Sequence, residues 1–329
     1  MSMEPEFGEF DLIRRFFLKR GAPRRGSGVL LGIGDDAALL ELPQGTDLVA
    51  TVDTVVCGTH FLEGADPRSI GHRAMAVNLS DMAAMGATPA WATLALTLPG
   101  VEASWLEEFA AGLLQLGAEH AVELVGGDTT RGPLTVSVQI MGHVPHGTAL
   151  RRSGAAAGDI LAVSGTLGDA AAGLALLKKP AATLTAQTQA LIQRFNYPTP
   201  RVQLGIAARG VAGAAMDLSD GLVGDLPKLA LASGVAAHVA IEKLPLSAAM
   251  LDTIGIEQAR DWALAGGEDF EMLLAIAPDR FPALKRSADQ LNLTLTPVGE
   301  LHAGAGVTWS LNGENFAPGV SGYDHFGRA

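Results

Sequence analysis

The spacing of apolar and polar residues along the chain predicts a mixed α/β protein. Over residues 69–85, Ile70, Ala74, Val77 and Met82 recur at close to the helical period, which predicts one long helix. Further helices are predicted at Ser104–Gly117, Gly168–Lys178, Pro200–Arg209, Leu222–Ser233 and Asp279–Leu291. Strands are predicted at Leu134–Val144, Asp159–Val163, Ala237–Ile241, Phe270–Ala275 and Leu293–Val298, with long antiparallel elements in the first half.

Chain length and one small, polar segment indicate how the domains are divided. At roughly 100–200 residues per domain, 329 residues predict about two domains. The segment 147–158 is rich in Gly, Ala and Arg, so we expect an N-terminal domain over residues 1–147 and a C-terminal α/β domain over 148–329. The Ala-, Thr- and Gln-rich segment Lys179–Gln193 is predicted to be an exposed connection, and Leu134–Val144 is a candidate free edge strand.

The charge balance restricts the partners of the protein. The chain has 23 Lys and Arg against 35 Asp and Glu, a net charge of −12, which disfavours binding to nucleic-acid phosphates. No apolar run approaches about 18 residues, so no membrane-spanning helix is expected. The acidic start, Met1–Arg15, is unlike a signal peptide, and a cytoplasmic enzyme is expected. Cys57 is the one cysteine, which excludes an internal disulfide and an all-cysteine zinc site.

Carboxylates recur in small or glycine-rich turns, most of them at the ends of apolar runs. An isolated Asp in such a turn is usually structural, but strand ends meet at one edge of a sheet, where several carboxylates would attract a divalent cation. Carboxylate and hydroxyl oxygens suit Mg²⁺ or Mn²⁺, and Mg²⁺ commonly bridges protein carboxylates to phosphates. The pattern therefore predicts a metal-dependent, phosphate-handling site built from Val29–Asp36, Leu48–Asp53, Ala76–Asp81, Leu124–Asp128, Met216–Gly221 and Ala265–Asp269.

Other nucleotide and metal motifs fit less well. Gly32–Ala37 matches the outline of a dinucleotide fingerprint, with Asp53 at a suitable distance downstream. Asp35 and Asp36 would nevertheless stand where the pyrophosphate belongs, and Pro43 leaves no room for a crossover helix. The chain has no Gly-Lys-Ser/Thr phosphate loop. Its histidines lack zinc-ligand spacing apart from the loose pair His143 and His146.

Taken in order, these motifs closely resemble thiamine-monophosphate kinase. This family lies in the superfamily of aminoimidazole ribonucleotide synthetase and selenophosphate synthetase. The resemblance covers nearly the whole chain, from Gly8 to Phe326. Its motifs are Gly32-Ile-Gly-Asp-Asp36, Thr51-Val-Asp-Thr54, Asn78-Leu-Ser-Asp81, Gly126-Gly-Asp-Thr-Thr130, Arg151-Arg-Ser-Gly154, Met216-Asp-Leu-Ser-Asp-Gly221, Gly266-Gly-Glu-Asp-Phe-Glu271 and Tyr323-Asp-His-Phe326.

The resemblance implies a fold, a reaction and a set of ligands. The fold is that of two α/β domains, the first forming a homodimer by joining sheets across a two-fold axis. The reaction is the Mg²⁺-assisted transfer of phosphate from ATP to thiamine monophosphate, giving thiamine diphosphate. Several Mg²⁺ ions would be held by Asp36, Thr51, Asp53, Asp81, Asp128, Asp217 and Asp220, with Asp35 beside them.

The resemblance also divides the remaining roles. Asp128 and Asp220 would serve catalysis by positioning metal, with no covalent nucleophile. ATP would contact Gly127, Asp128, Arg152 and Ser219, while thiamine monophosphate would contact His60, Glu268 and Tyr323. Val52 departs from the family pattern, which often has a hydroxyl residue before this Asp, so only its carbonyl could bind metal.

Two other functions are compatible with the superfamily fold. One is a synthetase that uses ATP to activate a carbonyl or a selenide. The selenide reaction would be expected to need a reactive Cys or selenocysteine near the N-terminus, and residues 1–36 contain none. The other is a maturation or scaffold protein without catalysis, whose signature would be loss of the carboxylates that are retained here.

Overall fold

A computed structural model of the chain describes residues 8–18, 26–179 and 184–323, and these form two compact units. The first unit comprises the described residues up to Met82 together with Thr88–His146. The second comprises Ala83–Ala87 and the described residues from Gly147 onward. Each unit mixes helices with a sheet, which confirms the predicted α/β class. No helix in the described part of the chain is long and apolar enough to span a membrane.

The first unit is built around a four-stranded sheet. A short helix, α1 (Glu9–Leu12), continues as a π-helical turn over Ile13–Leu18, and α2 (Pro67–Ala84) and α3 (Ala103–Glu119) are the longer helices. A separate antiparallel hairpin joins β1 (Val29–Leu31) to β2 (Leu39–Leu40). The sheet has the order β3-β6-β4-β5, formed by β3 (Thr46–Val56), β4 (Thr88–Leu98), β5 (Glu123–Arg131) and β6 (Thr135–Pro145).

Close helix packing supports this sheet. Every second residue of β6 is buried, including Val138 and Ile140, as the period of a half-buried strand requires. The helices α2 and α3 touch through glycines: a Cβ on Gly71 would lie 2.1 Å from the Phe109 carbonyl oxygen, and one on Gly112 would lie 2.0 Å from the Arg68 carbonyl oxygen. Only residues without a side chain permit so close an approach of two helix backbones.

One sequence expectation about this sheet is wrong. The strand predicted at Leu134–Val144 is β6, and it is no free edge, because it pairs with β3 on one side and β4 on the other. Alternating burial is the same in central and edge strands, so the pattern did not identify its neighbours. One edge of the sheet is β3, which bonds to β6 and leaves Leu48 and Val52 more than half exposed, at 54% and 61%.

The second unit contains a seven-stranded sheet in the order β13-β12-β9-β11-β7-β10-β8. Its strands are β7 (Ile160–Ser164), β8 (Ala212–Leu218), β9 (Ala236–Ala240), β10 (Glu271–Ile276), β11 (Leu295–His302), β12 (Gly306–Leu311) and β13 (Glu314–Phe316). Its helices are α4 (Asp169–Lys178), α5 (Ala186–Asn196), α6 (Val202–Ala208), α7 (Leu222–Ser233), α8 (Ala248–Ile254), α9 (Ile256–Ala265) and α10 (Phe281–Gln290). All six residues of β10 are buried, so this strand lies at the centre of the core.

The segment Lys179–Gln193 differs from its prediction as an exposed connection. Residues 180–183 lie outside the described part, but α5 begins at Ala186. Its first turn is capped by Thr185, whose Oγ1 accepts a hydrogen bond from the Thr188 N–H at 3.2 Å. Leu191 and Phe195, four residues apart, are buried on one face. The other elements predicted from hydrophobic spacing are confirmed, with ends shifted by a few residues.

Candidate functional site

A pocket of about 680 Å³ in the first unit brings two of the predicted motifs together. The loop after β1 contributes Asp35 and Asp36, and β5 contributes Gly127 and Asp128. Apolar side chains near the start of the described chain, among them Ile13 and Phe17, line the same pocket. Sequence reasoning missed these two residues, because no motif marks them. An apolar wall beside glycines and carboxylates is suited to a ligand with a flat ring and phosphates.

Gly127 determines how closely β5 approaches its neighbour in this pocket. Its φ angle is +152°, and a Cβ at this position would lie 1.9 Å from the Leu94 carbonyl oxygen of β4. A residue with a side chain would push the two strands apart. The next residue, Asp128, is exposed at the pocket wall, where its carboxylate is accessible to a cation or a polar ligand.

A second group of predicted metal ligands lies where β3 meets α2. The Thr51 hydroxyl donates a short hydrogen bond to Oδ2 of Asp81 on α2. Asp53 stands two residues after Thr51 and therefore on the same side of β3, whereas Val52 is on the opposite, exposed side. The Thr51 hydroxyl and the Asp53 carboxylate thus lie on one side of β3, and Thr51 contacts the predicted ligand Asp81.

His60 occupies a turn directly after β3. The Val56 N–H donates to His60 Nδ1 at 3.1 Å, and the His60 N–H donates to the Val56 carbonyl at 2.9 Å. Because Nδ1 accepts this bond, the proton of the neutral imidazole is assigned to Nε2. The ring is therefore held as a hydrogen-bond donor, which suits contact with an anionic group.

In the second unit, the turn after β8 connects four of the predicted site residues. The Glu268 N–H donates to the Ser219 carbonyl at 2.8 Å, and the Tyr323 N–H donates to the Asp220 carbonyl at 3.1 Å. Gly267 permits this contact, since a Cβ there would lie 2.6 Å from the Ser219 carbonyl oxygen. Residues far apart in sequence are thus fixed together through their backbones.

The same turn is held by two residues that sequence reasoning missed. Oδ2 of Asp225 accepts hydrogen bonds from the Ser219 and Asp220 N–H groups, and Lys228 Nζ donates to both Asp220 and Asp225. Burial raises the pKa of the Asp225 carboxyl, although the bond to Lys228 opposes this. Burial alone would lower the pKa of Lys228, but its two carboxylate partners raise it. An acid in the first turn of a predicted helix was the available signal for Asp225.

Glu268 has a backbone conformation that few residues with a side chain adopt. Its φ angle is +63°, and Phe270, two residues later, has a φ of +51°. Such conformations cost about 1–3 kcal/mol each and persist only where the surrounding structure fixes them. The Phe270 N–H donates to the Leu218 carbonyl at 2.9 Å, which ties the far side of this loop to β8.

Two buried carboxylates of the predicted motif, whose structural roles the sequence did not indicate, hold the loop on either side. Asp269 accepts hydrogen bonds from the Gly168 and Ala170 N–H groups at 2.7 and 3.3 Å, which caps the start of α4. Glu271 is fully buried, and its carboxylate accepts from Ser164 Oγ at 2.5 Å, from Arg194 at 3.0 Å and from Arg201 Nε at 2.7 Å. Arg194 also donates to the Asp269 carbonyl at 3.2 Å. Glu268 thus projects from a loop with firmly fixed neighbours.

Asp269 should make stability fall as the pH rises from about 4 to about 7. Burial raises its pKa from 3.8 to about 7, against the bonds from Gly168 and Ala170 and the charge of Arg194. Between these values the folded chain keeps a proton that the unfolded chain releases, so the free energy of unfolding declines by at most about 1.4 kcal/mol per pH unit. Urea unfolding from pH 4 to 8 should show this slope in the wild type but not in Asp269→Asn. Parallel slopes would contradict it.

Arg152 and Tyr323 each make a hydrogen bond through the backbone. The Arg152 carbonyl accepts a hydrogen bond from Ser233 Oγ on α7 at 2.9 Å, and its side chain is exposed. Tyr323 is 53% exposed. The sequence motif continues over Asp324–Phe326, which lie outside the described residues.

Within each unit, the predicted metal ligands lie in small groups. Across residues 8–18, 26–179 and 184–323, no three His, Cys, Asp or Glu side chains are grouped as a metal ion would require. Asp36 and Asp128 line one pocket, Thr51 contacts Asp81, and Asp217, which is buried at the end of β8, lies near Asp220 in sequence. The assignment of all these residues as metal ligands stays a prediction.

Comparisons with known proteins identify the family. Residues 34–144 match the N-terminal domain model of AIR synthase related proteins, and residues 156–311 match the C-terminal domain model. A thiamine-monophosphate kinase of Salmonella typhimurium is 46% identical over 322 residues, which is 97% of this chain and 98% of that protein. The chain belongs to the thiamine-monophosphate kinase family.

Solved structures of the thiamine-monophosphate kinase family have the same fold. The crystal structure of the enzyme from Stenotrophomonas maltophilia is 47% identical, with a TM-score of 0.85 over 95% of this chain and 98% of that chain. A second structure, AaThiL complexed with AMPPCP and TMP, is 34% identical, with a TM-score of 0.77 over 99% of both chains. The family and fold inferred from the sequence motifs are confirmed.

Proposed function

We propose that this chain transfers the γ-phosphoryl group of ATP to thiamine monophosphate, giving ADP and thiamine diphosphate. The observation that carries the proposal is the pocket of the first unit, which combines an apolar wall with Gly127, Asp36 and Asp128. A family member of known structure is complexed with AMPPCP and TMP, which supports both substrates. In the reaction, the bond from the γ-phosphorus to its bridging oxygen breaks, and a bond forms to a phosphate oxygen of the acceptor.

The proposal includes Mg²⁺, because the candidate ligands are oxygens only. Carboxylates and a hydroxyl suit this hard cation, and the Asp220 carboxylate already pairs with a cation, the Lys228 ammonium, at 2.6 Å. Bound Mg²⁺ would neutralise the phosphates and align them for transfer. The proposed ligands are Asp36, Thr51, Asp53, Asp81, Asp128, Asp217 and Asp220, with Asp35 adjacent.

The protein's own groups then have mainly positioning roles. The acceptor oxygen belongs to a phosphate and is already anionic, so little help from a general base is needed. Asp128 and Asp220 act by fixing charge, Arg152 offers a planar fork to phosphate oxygens, and Gly127 and Ser219 contact ATP closely. For thiamine monophosphate, His60 is suited to donate from Nε2, while Glu268 and Tyr323 are proposed to contact the thiamine portion.

A side-by-side substrate assay tests this function. ADP release would be measured with thiamine monophosphate, with thiamine, and with substrates of aminoimidazole ribonucleotide synthesis. We expect turnover with thiamine monophosphate alone. Turnover only with another substrate would indicate a different synthetase of the superfamily, and no turnover with any of them would indicate a protein without catalysis.

Replacing Tyr323 should selectively weaken the binding of thiamine monophosphate. An aromatic stack contributes about 0.5–1.5 kcal/mol beyond burial, and about 1.4 kcal/mol is a factor of ten. Tyr323→Ala should therefore raise the KM for thiamine monophosphate roughly tenfold, with little change in the KM for ATP. The backbone bond to Asp220 is retained in this variant and in the control Tyr323→Phe, which should be near normal. A raised KM for ATP alone would reverse the proposed orientation of the substrates.

The proposal also includes a homodimer formed through the N-terminal domain predicted from the sequence, residues 1–147, and a cytoplasmic location, since the reaction consumes ATP. The edge strand β3 exposes Leu48 and Val52, and the hairpin of the same unit exposes Leu30 and Leu39 at 67% and 58%. A free, apolar strand edge favours pairing with a second copy. Residues 148–329 supply the second α/β domain.

Leu48→Lys should therefore convert the dimer to a monomer. A lysine on an edge strand opposes strand pairing, because its charge would have to be desolvated in the interface. Light scattering at micromolar concentration should give the monomer mass for this variant. The control Leu231→Lys alters a residue that is 85% exposed in the second unit and should keep the dimer mass. A wild-type monomer would contradict the proposed assembly.

A further inference from the structure

Two residues to which the proposed function gives no role, Asp225 and Lys228, contact the turn at Ser219 and Asp220. Asp225 is 1% exposed, and its Oδ2 atom accepts both the Ser219 N–H at 3.0 Å and the Asp220 N–H at 2.9 Å. One buried oxygen thereby fixes two successive peptide groups. Because Asp225 lies in the first turn of α7, the helix holds this oxygen in place.

Lys228 extends this arrangement to the side chain of Asp220. It follows Asp225 by three residues on α7, so the two side chains share one helix face. Lys228 Nζ donates to Asp225 Oδ1 at 2.9 Å and to Asp220 Oδ2 at 2.6 Å. Both the peptide and the carboxylate of Asp220 are therefore tied to the same two residues.

We propose that Asp225 and Lys228 form a positioning pair for Asp220, in which Asp225 preforms the turn and Lys228 occupies the carboxylate until a divalent ion displaces it. The inference rests on the proposed function, in which Asp220 binds such an ion. Without a cation, the neighbouring carboxylates of Asp220 and Asp225 would repel each other. With Lys228 present, the turn keeps its shape while the site is empty, and the ammonium competes with an arriving ion.

Removing the ammonium should make a divalent ion bind more tightly. Mn²⁺ binding to the nucleotide-free protein would be followed by electron paramagnetic resonance of the free ion, which requires no turnover. Lys228→Met should lower the dissociation constant by about tenfold, since loss of a neighbouring positive charge strengthens attraction for a cation. Lys228 is 42% exposed, so this change spares the core. Unchanged or weaker binding would overturn the proposal.

The chain provides a matched control for this variant. Lys285 and Asp289 form a lysine–aspartate pair at 3.2 Å on α10, and both side chains are about half exposed. Lys285→Met removes the same charge from another lysine–aspartate pair within one helix, at a position with no proposed role. Its Mn²⁺ titration should equal that of the wild type. An equal gain in both variants would indicate a general effect of net charge and would overturn the local role of Lys228.

The role of Asp225 is tested by comparing two substitutions. Asp225→Ala removes the acceptor of both peptide N–H groups, whereas Asp225→Asn keeps one oxygen that can accept them. We expect amide hydrogen exchange in the Ser219–Asp220 turn to quicken at least tenfold in the Ala variant and to recover toward the wild-type rate in the Asn variant. An equal increase in both variants, or none in either, would overturn the positioning role. If the Ala variant fails to fold, the Asn variant and the Lys228→Met titration still decide.

Asp220→Asn separates this inference from the proposed function. If Asp220→Asn leaves Mn²⁺ binding unchanged, Asp220 is no metal ligand and the proposed metal site fails together with the inference. If Asp220→Asn weakens Mn²⁺ binding but Lys228→Met leaves it unchanged, the metal site stands and only the positioning pair is refuted. Weaker binding in Asp220→Asn with tighter binding in Lys228→Met supports both.

Discussion

Removal of divalent ions with a chelator should stop the formation of thiamine diphosphate completely, and added Mg²⁺ should restore it. Two polyanions must approach each other, and the proposed reaction has no other source of enough positive charge to neutralise them. The product should be quantified directly by chromatography, because the kinases used in coupled assays need Mg²⁺ themselves. Full product formation in excess chelator would refute the metal-dependent reaction.

Chelation alone does not separate ions held by the protein from ions carried in by ATP. A restored rate at stoichiometric Mg²⁺ would indicate that the nucleotide-bound ion suffices. A rate that keeps rising well above the ATP concentration would indicate further ions, as the proposed set of protein carboxylates requires. The protein's own contribution is measured by changing its carboxylates one at a time.

Asp128→Asn should lower kcat by about two to three orders of magnitude, the usual cost of removing a preorganised electrostatic element. The substitution keeps the size of the side chain but removes the charge at the wall of the pocket. Asp128 is exposed, so the thermal stability of the variant should stay close to that of the wild type. The measurement is the steady-state turnover rate at saturating ATP and thiamine monophosphate, with circular dichroism to confirm the fold.

Asp47→Asn is the matched control for Asp128→Asn. Asp47 also belongs to the first unit and is 54% exposed, but it pairs with His146 at 2.7 Å and does not line the pocket. This variant should keep nearly normal turnover. Near-normal turnover of Asp128→Asn would show that the catalytic site has been assigned to the wrong residues.

Hydrophobic periodicity predicted the individual helices and strands better than it predicted which strands pair with one another. The helix expected over residues 69–85 is α2, Pro67–Ala84, because its spacing and length are local properties. The strand expected at Leu134–Val144 was found with nearly the right ends, yet its position in the centre of the sheet depends on pairing with residues 46–56 and 88–97. Such pairing is decided by tertiary structure, which the alternation of one strand does not encode.

The same limit applies to the candidate site. Residues in local motifs could be picked out from the sequence, but contacts between distant segments could not. Acid-rich turns made Asp36, Asp128 and Asp220 candidates, since their residue types and glycine neighbours are visible in the sequence. The groups that hold the Asp220 turn, Asp225 and Lys228, were not predicted. Asp269 looks like one more acid in a glycine-rich motif. It nevertheless caps the start of α4 by accepting a hydrogen bond from Gly168, which lies 101 residues earlier in the chain.

The burial of Glu271 has a consequence for how the chain folds as it leaves the ribosome. Its carboxylate joins Ser164, 107 residues earlier, and Arg201, 70 residues earlier. Until β10 has been synthesised, the arginines lack their shared acceptor and the strand between β7 and β8 is missing. The nascent second unit therefore cannot close its core step by step. We expect it to fold late and cooperatively, not before β10 and then β11, which lies between β9 and β7, have emerged.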